Sequence, residues 1–179
     1  NSECGYFLRI SFLIDTAFGA SAVILVVFLV SALHLLYSWF LGVVFIIIFL
    51  VCIKEFKQLL GDLRKIKLKQ FADSKIFFTI LFVYALVNLV GALSPATDTD
   101  GLGYHLAMPK LYIQNHGFVY HPLAVSNWPM TFEMLYLPAF LFKNDGLAKL
   151  VHWLFGLLCT LAVYSFAKSF FSKKSASTA

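Results

Sequence analysis

The sequence predicts an all-α membrane protein, a polytopic transmembrane helix bundle of about four spans with a long outer loop that carries short interfacial helices. Composition is the first reason. Of 179 residues, 60% are hydrophobic and 13% charged, and 20 are phenylalanine. Mean hydropathy is +0.83. A soluble domain is nearer half apolar and a quarter charged, so the expected solvent is a bilayer. The second reason is that apolar runs recur at spanning length, roughly 20 residues for about 30 Å of hydrocarbon. The third is that lysine and arginine concentrate in one connection, while the longest connection has few of them.

The first span is expected at about 11–33, SFLIDTAFGASAVILVVFLVSAL, with Asp15 near the headgroups. His34 and Ser38 mark a tight turn into the second span, about 37–54. The cytoplasmic loop 54–75 follows, holding Lys54, Lys57, Arg64, Lys65, Lys67, Lys69 and Lys75. Such loops stay on the cytoplasmic side. Phe56, Leu59, Leu60, Leu63 and Ile66 recur there at helical spacing, which predicts an amphipathic helix on the inner leaflet beside anionic lipid. Positive-inside bias already accounts for this charge, so nucleic acid is not an expected partner. The third span is expected at about 76–94 and the fourth at about 147–167. Lys168, Lys173 and Lys174 form a second basic end. Both termini are then cytoplasmic and 95–146 is extracytoplasmic.

The outer loop is too long for a plain connector, and it is rich in histidine and aromatic residues. Amphipathic rings settle at the membrane–water interface, so short surface helices are expected. One covers about 101–115. Asp98, Thr99 or Asp100 would cap its start, Asn115 or Gly117 would suit its end, and Pro109 would kink or interrupt it. A second covers about 130–142, after Trp128-Pro129.

The chemistry concentrates in S-P-A-T-D-T-D-G-L-G-Y-H-L-A-M-P-K, residues 94–110. Asp98 and Asp100 have three competing roles: helix caps, a shared divalent-cation site, or a catalytic base with its helper. The cation is the one cofactor this pattern leaves open. Lys110 is a point charge suited to phosphate. His105 can donate to a phosphate or sugar hydroxyl, Tyr104 can stack on a sugar ring, and Glu133 can face the same cavity as the aspartates. His152 lies close to the outer end of the fourth span, where a helix–helix hydrogen bond is expected. Cys4, Cys52 and Cys159 lack metal-ligand spacing and read as lipid-facing or packed thiols.

Pro95, T-D-T-D-G-L-G-Y-H-L-A-M-P-K (97–110), Tyr112, Gly117, S-N-W-P-M-T-F-E-M-L-Y (126–136) and L-A-K-L-V-H-W-L-F-G-L-L (147–158), with the basic end at Lys168, resemble bacterial polytopic glycosyltransferases of the C-type superfold. These include the protein mannosyltransferase-like and aminoarabinose transferase-like proteins. The resemblance covers about 90–170; the first ninety residues match in span pattern only. It implies a transferase of the bacterial inner membrane. Such an enzyme moves a sugar from a polyprenyl-phosphate donor to an acceptor glycan, lipid or protein on the outer face. It implies Asp100 as the catalytic carboxylate, with Asp98 second. Such enzymes have more spans and often an outer C-terminal domain, so the chain is expected to be an inactive fragment of a longer protein. A transporter or flippase segment and a non-catalytic membrane scaffold are the rival readings. Ionisable groups clustered in a loop rather than deep in spans disfavour the transporter.

Overall fold

The computed structural model describes residues 2–65, 75–128, 130–142 and 144–170. They form helices and turns, with no strand among them. Helix α1 is Ser2–Ala32, α2 Ser38–Val51, α3 Ile53–Lys65 and α4 Lys75–Leu93. A π-helical turn at Gly101–His105 leads into α5, Ala107–Gln114. After 3₁₀ turns at Ala124–Asn127 and Phe132–Leu135 come α6, Leu137–Phe140, and the long α7, Asp145–Phe170. The four expected apolar segments are all helical. Two of them, Ser11–Ala32 and Asp145–Ala167, are long and apolar enough to cross a membrane; Ser38–Val51 and Phe78–Leu93 are shorter apolar helices.

Ile80, Leu81, Phe82, Val83 and Tyr84 of α4 are all exposed. Five successive residues sweep more than a full helical turn, so apolar surface points in every direction around this stretch. Such a helix is at home in an apolar solvent.

The amphipathic segment is helical as far as Lys65. Its expected continuation over 66–74 lies outside the described residues, as do Lys143, Lys173 and Lys174. Cys52 and Cys159 are free and exposed, as lipid-facing thiols would be.

The outer loop packs into the helices. One buried cluster joins Val27, Leu36 and Leu41 of the first hairpin to Met108, Met134 and Leu137 of the loop. A second joins Leu106, Tyr136 and Phe140 to Ala148 of α7. Trp153 on α7 donates its indole N–H to the Ala85 carbonyl of α4 at 2.9 Å, which fixes these two helices against each other.

Two helix ends interlock. At the end of α1, His34 N–H donates to the Ser31 carbonyl and Leu35 N–H to that of Val30. At the end of α5, His116 N–H donates to Ile113 and Gly117 N–H to Tyr112. These are paired Schellman caps, with His34 (φ 55°) and His116 (φ 58°) in the left-handed position. The sequence pointed to Asn115 or Gly117 at the end of α5. Asn115 is the C-cap, but the positive φ falls on His116. Stacking on Tyr37, with ring centroids 3.9 Å apart, accompanies that conformation. The caps are joined crosswise: Leu36 N–H donates to the His116 carbonyl and Phe118 N–H to that of Ser31. The first interhelical turn and the outer loop therefore lie at one end of the molecule.

Pro109 does not make the break expected of it. The chain breaks earlier, at Leu106, whose N–H donates to the Gly101 carbonyl five residues back. Pro109 sits in the first turn of α5, where a backbone N–H has no intrahelical partner to lose. The second surface helix, expected over 130–142, is split into a 3₁₀ turn and α6.

Candidate functional site

A cavity of 490 Å³ opens where α4 ends, lined by Asp98, His105, Glu133, Tyr136, Lys149 and His152 together with Asn88, Gly91, Phe132 and Trp153. In a chain this apolar, such a convergence of polar groups is unusual, and each one is held by a local structural cause.

Asp98 caps a helical turn that begins at Thr99. Its Oδ2 accepts the Gly101 N–H at 2.5 Å, and its carbonyl accepts Leu102 N–H at 3.1 Å. That is the N-cap pattern, with the side chain reaching the third helical residue. A Cβ on Gly101 would meet the same carboxylate, which would have to shift to make room for it. Of the three candidate caps, Asp98 takes the role; Asp100 makes no capping bond. Asp100 is exposed and is not among the residues lining the cavity.

The π turn aims His105 at the cavity. Its Nδ1 lies 2.5 Å from Oε1 of Glu133, a carboxylate that is only 7% exposed. A buried carboxylate is costly unless it is hydrogen-bonded, and His105 supplies the bond. The Tyr104 ring packs on His105, with centroids 4.2 Å apart.

His152 was expected to bond another helix. Its partner is instead a loop residue: Tyr136 Oη is 2.9 Å from His152 Nδ1. Phe132 meets both rings edge-on and holds them in place. Burial first, and the Glu133 carboxylate second, raise the Tyr136 phenol above its ordinary range. The same two causes raise Tyr112. The folded chain thus holds the Tyr136 proton more tightly than the unfolded chain does. That contribution to stability is complete below the ordinary phenol range near pH 10 and is lost as pH rises beyond it. In an alkaline titration followed by phenolate absorbance, Tyr136→Phe is expected to remove one equivalent from the late-titrating tyrosines; an unchanged late phase contradicts this.

Lys110, the expected phosphate ligand, lies elsewhere. Its ammonium pairs with Asp145 at 2.7 Å and sits 5.5 Å over the Phe140 ring, in a separate 360 Å³ hollow. The cation lining the main cavity is Lys149. It donates to the carbonyls of Gly91, at 3.1 Å, and Ser94, the unsatisfied acceptors at the end of α4. Sequence reasoning passed over Lys149 because it lies inside an apolar helix. The signal was there: Lys149 and His152 are three apart and so share one face of α7.

Thus Asp98, His105 and Glu133 come together, while Asp100, Tyr104 and Lys110 do not line the cavity. No group of three or more potential metal ligands occurs among the described residues, and of Asp98 and Asp100 only Asp98 lines the cavity. A larger apolar hollow of 580 Å³ runs along α1, between Ser21, Ile24 and Phe28 on one side and Trp128, Met130 and Met134 on the other. The segment 131–134 separates the two spaces. Phe132 and Glu133 face the polar cavity, Thr131 and Met134 the apolar one.

No family model matches the chain, and neither does any curated protein or solved structure.

Proposed function

We propose that this chain is part of a four-span membrane glycosyltransferase that uses a polyprenyl-phosphate sugar donor, with the 490 Å³ cavity as its phosphosugar site. One observation carries the reading: two carboxylates, two imidazoles and an ammonium converge at the mouth of otherwise apolar helices. A lipid-linked donor keeps its tail in hydrocarbon and its phosphosugar at the interface, so it needs polar groups at that depth beside an apolar groove. The hollow along α1 suits the first part of the prenyl chain. The shorter helices α2 and α4 complete the bundle, with the interlocked turn and outer loop on the extracytoplasmic side.

In this reading Asp98, rather than Asp100, is the carboxylate next to the sugar. One of its oxygens caps the turn, and the other accepts from a sugar hydroxyl or opposes positive charge developing at the anomeric carbon. Lys149 neutralises the departing phosphate. The transporter reading ranks second, because the charged groups gather at one end of the helices rather than along a path through them.

The test is transfer from a panel of radiolabelled polyprenyl-phosphate sugars in membranes that carry the protein. Asp98→Asn keeps the cap and removes the charge. It is expected to lower transfer about tenfold or more, the worth of a hydrogen bond to a charged group, while Asp100→Asn stays near wild type. The reverse order returns the role to Asp100. No transfer from any donor removes the function.

A further inference from the structure

The two histidines of the cavity are each bonded through Nδ1, but to partners of opposite kind. Glu133 Oε1 only accepts when ionised, so the 2.5 Å contact puts the hydrogen on His105 Nδ1. In the neutral ring Nε2 then carries a lone pair. Tyr136 is 6% exposed, and a buried O–H left without an acceptor is costly. Its acceptor is His152 Nδ1, at 2.9 Å, so the hydrogen of that ring sits on Nε2. Burial and the Glu133 carboxylate keep the phenol protonated, which sustains this direction of donation.

We infer that His105 and His152 form an acid–base pair of opposite tautomers across one cavity, His105 Nε2 accepting a proton from the acceptor hydroxyl and His152 Nε2–H donating to a phosphoryl oxygen of the donor. This rests on the glycosyl-transfer reading above and deepens it. The acceptor hydroxyl loses its proton to His105 Nε2 as its oxygen bonds the anomeric carbon. The bond from that carbon to the phosphate oxygen breaks, and its electron pair leaves on the phosphate. The new negative charge is met by the His152 N–H and the Lys149 ammonium. Glu133 and Tyr136 are positioning residues that set the two tautomers. The other charged group lining the cavity, Asp98, is engaged with the Gly101 N–H.

The tautomers are readable without turnover. The full chain, labelled with ¹⁵N-histidine in lipid nanodiscs, is examined by long-range ¹H–¹⁵N correlation, with His105→Asn and His152→Asn assigning the two rings. The expected result is a protonated Nδ1 on His105 and a protonated Nε2 on His152. In Tyr136→Phe, the His152 signals are expected to move toward a tautomer mixture while His105 stays unchanged. The same tautomer on both rings overturns the inference. In the transfer assay, His105→Asn is expected to cost about 10²-fold or more, the ordinary contribution of a positioned base, and His152→Asn to lower the rate by less. Unchanged transfer in His105→Asn overturns the catalytic role even if the tautomers are as stated. Absence of all transfer defeats the glycosyltransferase reading, while the spectra still decide the pair.

Discussion

Replacing Lys149 with methionine is expected to lower sugar transfer by about 10²- to 10³-fold, the usual cost of removing a preorganised group that meets charge developing in a transition state. Lys149 is the cation lining the cavity. Two backbone carbonyls at the end of α4 hold its ammonium in place, so little ordering remains to be done when substrate arrives. Methionine keeps much of the stem and its packing on α7 and removes the charge together with the two bonds to the Gly91 and Ser94 carbonyls. Lys149→Arg restores the charge in a different shape and is expected to recover part of the loss. The check is kcat/KM in membranes at matched protein levels. If methionine transfers as well as lysine, the departing phosphate does not sit on this wall. The corresponding change at Lys110 serves as the contrast. That ammonium pairs with Asp145 in a different hollow, and Lys110→Met is expected to leave transfer near wild type.

The largest effect on stability is expected from Gly117→Ala. A Cβ there would fall within 3 Å of the His34 ring and of the Ser31 carbonyl. That carbonyl accepts the Phe118 N–H and the His34 N–H, so it cannot retreat without breaking the link between the two helix caps. Overpacking of this kind costs about 1–3 kcal/mol. The expected readout is a lower midpoint of thermal unfolding in detergent. The cavity also depends on this junction, since it fixes the start of the loop that carries Glu133 and Tyr136, so transfer should fall along with stability. Gly103→Ala is the matched control, because a Cβ at Gly103 meets nothing within 4 Å. Equal midpoints for the two variants would show that the caps do not interlock as described.

Much of the architecture was legible in the sequence because the relevant forces are local and large. An apolar run of spanning length forms a helix wherever water is excluded, since its backbone has no other partners. The helices expected at 11–33 and 147–167 reach that length, while the segments expected at 37–54 and 76–94 hold shorter apolar helices. The caps were harder. Asp98 competed with Thr99 and Asp100 on equal terms until the close approach of the Gly101 backbone picked it out. The site was legible in part. Asp98, His105 and Glu133 stood out as polar residues in an apolar chain, and the fold brings them to one cavity. Lys149 and Tyr136 did not, because one lies within an apolar helix and the other reads as an interfacial ring.

The sequence by itself determined that this chain is helical and apolar and that part of its polar chemistry, Asp98, His105 and Glu133, lies in the loop before α7. Composition and periodicity act residue by residue, so no knowledge of neighbours was needed. The tertiary structure decided which polar groups meet. It turned Lys110 to Asp145 and placed Lys149 at the cavity. It left Asp100 exposed and gave Asp98 to the helix cap. It set Glu133 against His105 and Tyr136 against His152. These pairings join residues 28, 35 and 16 positions apart. For Glu133 and Tyr136 the partner is selected by burial, because a buried carboxylate or hydroxyl must find a hydrogen-bonding group among whatever the packed helices bring within reach. Lys110 and Asp145, both part-exposed, meet because the fold brings their opposite charges together.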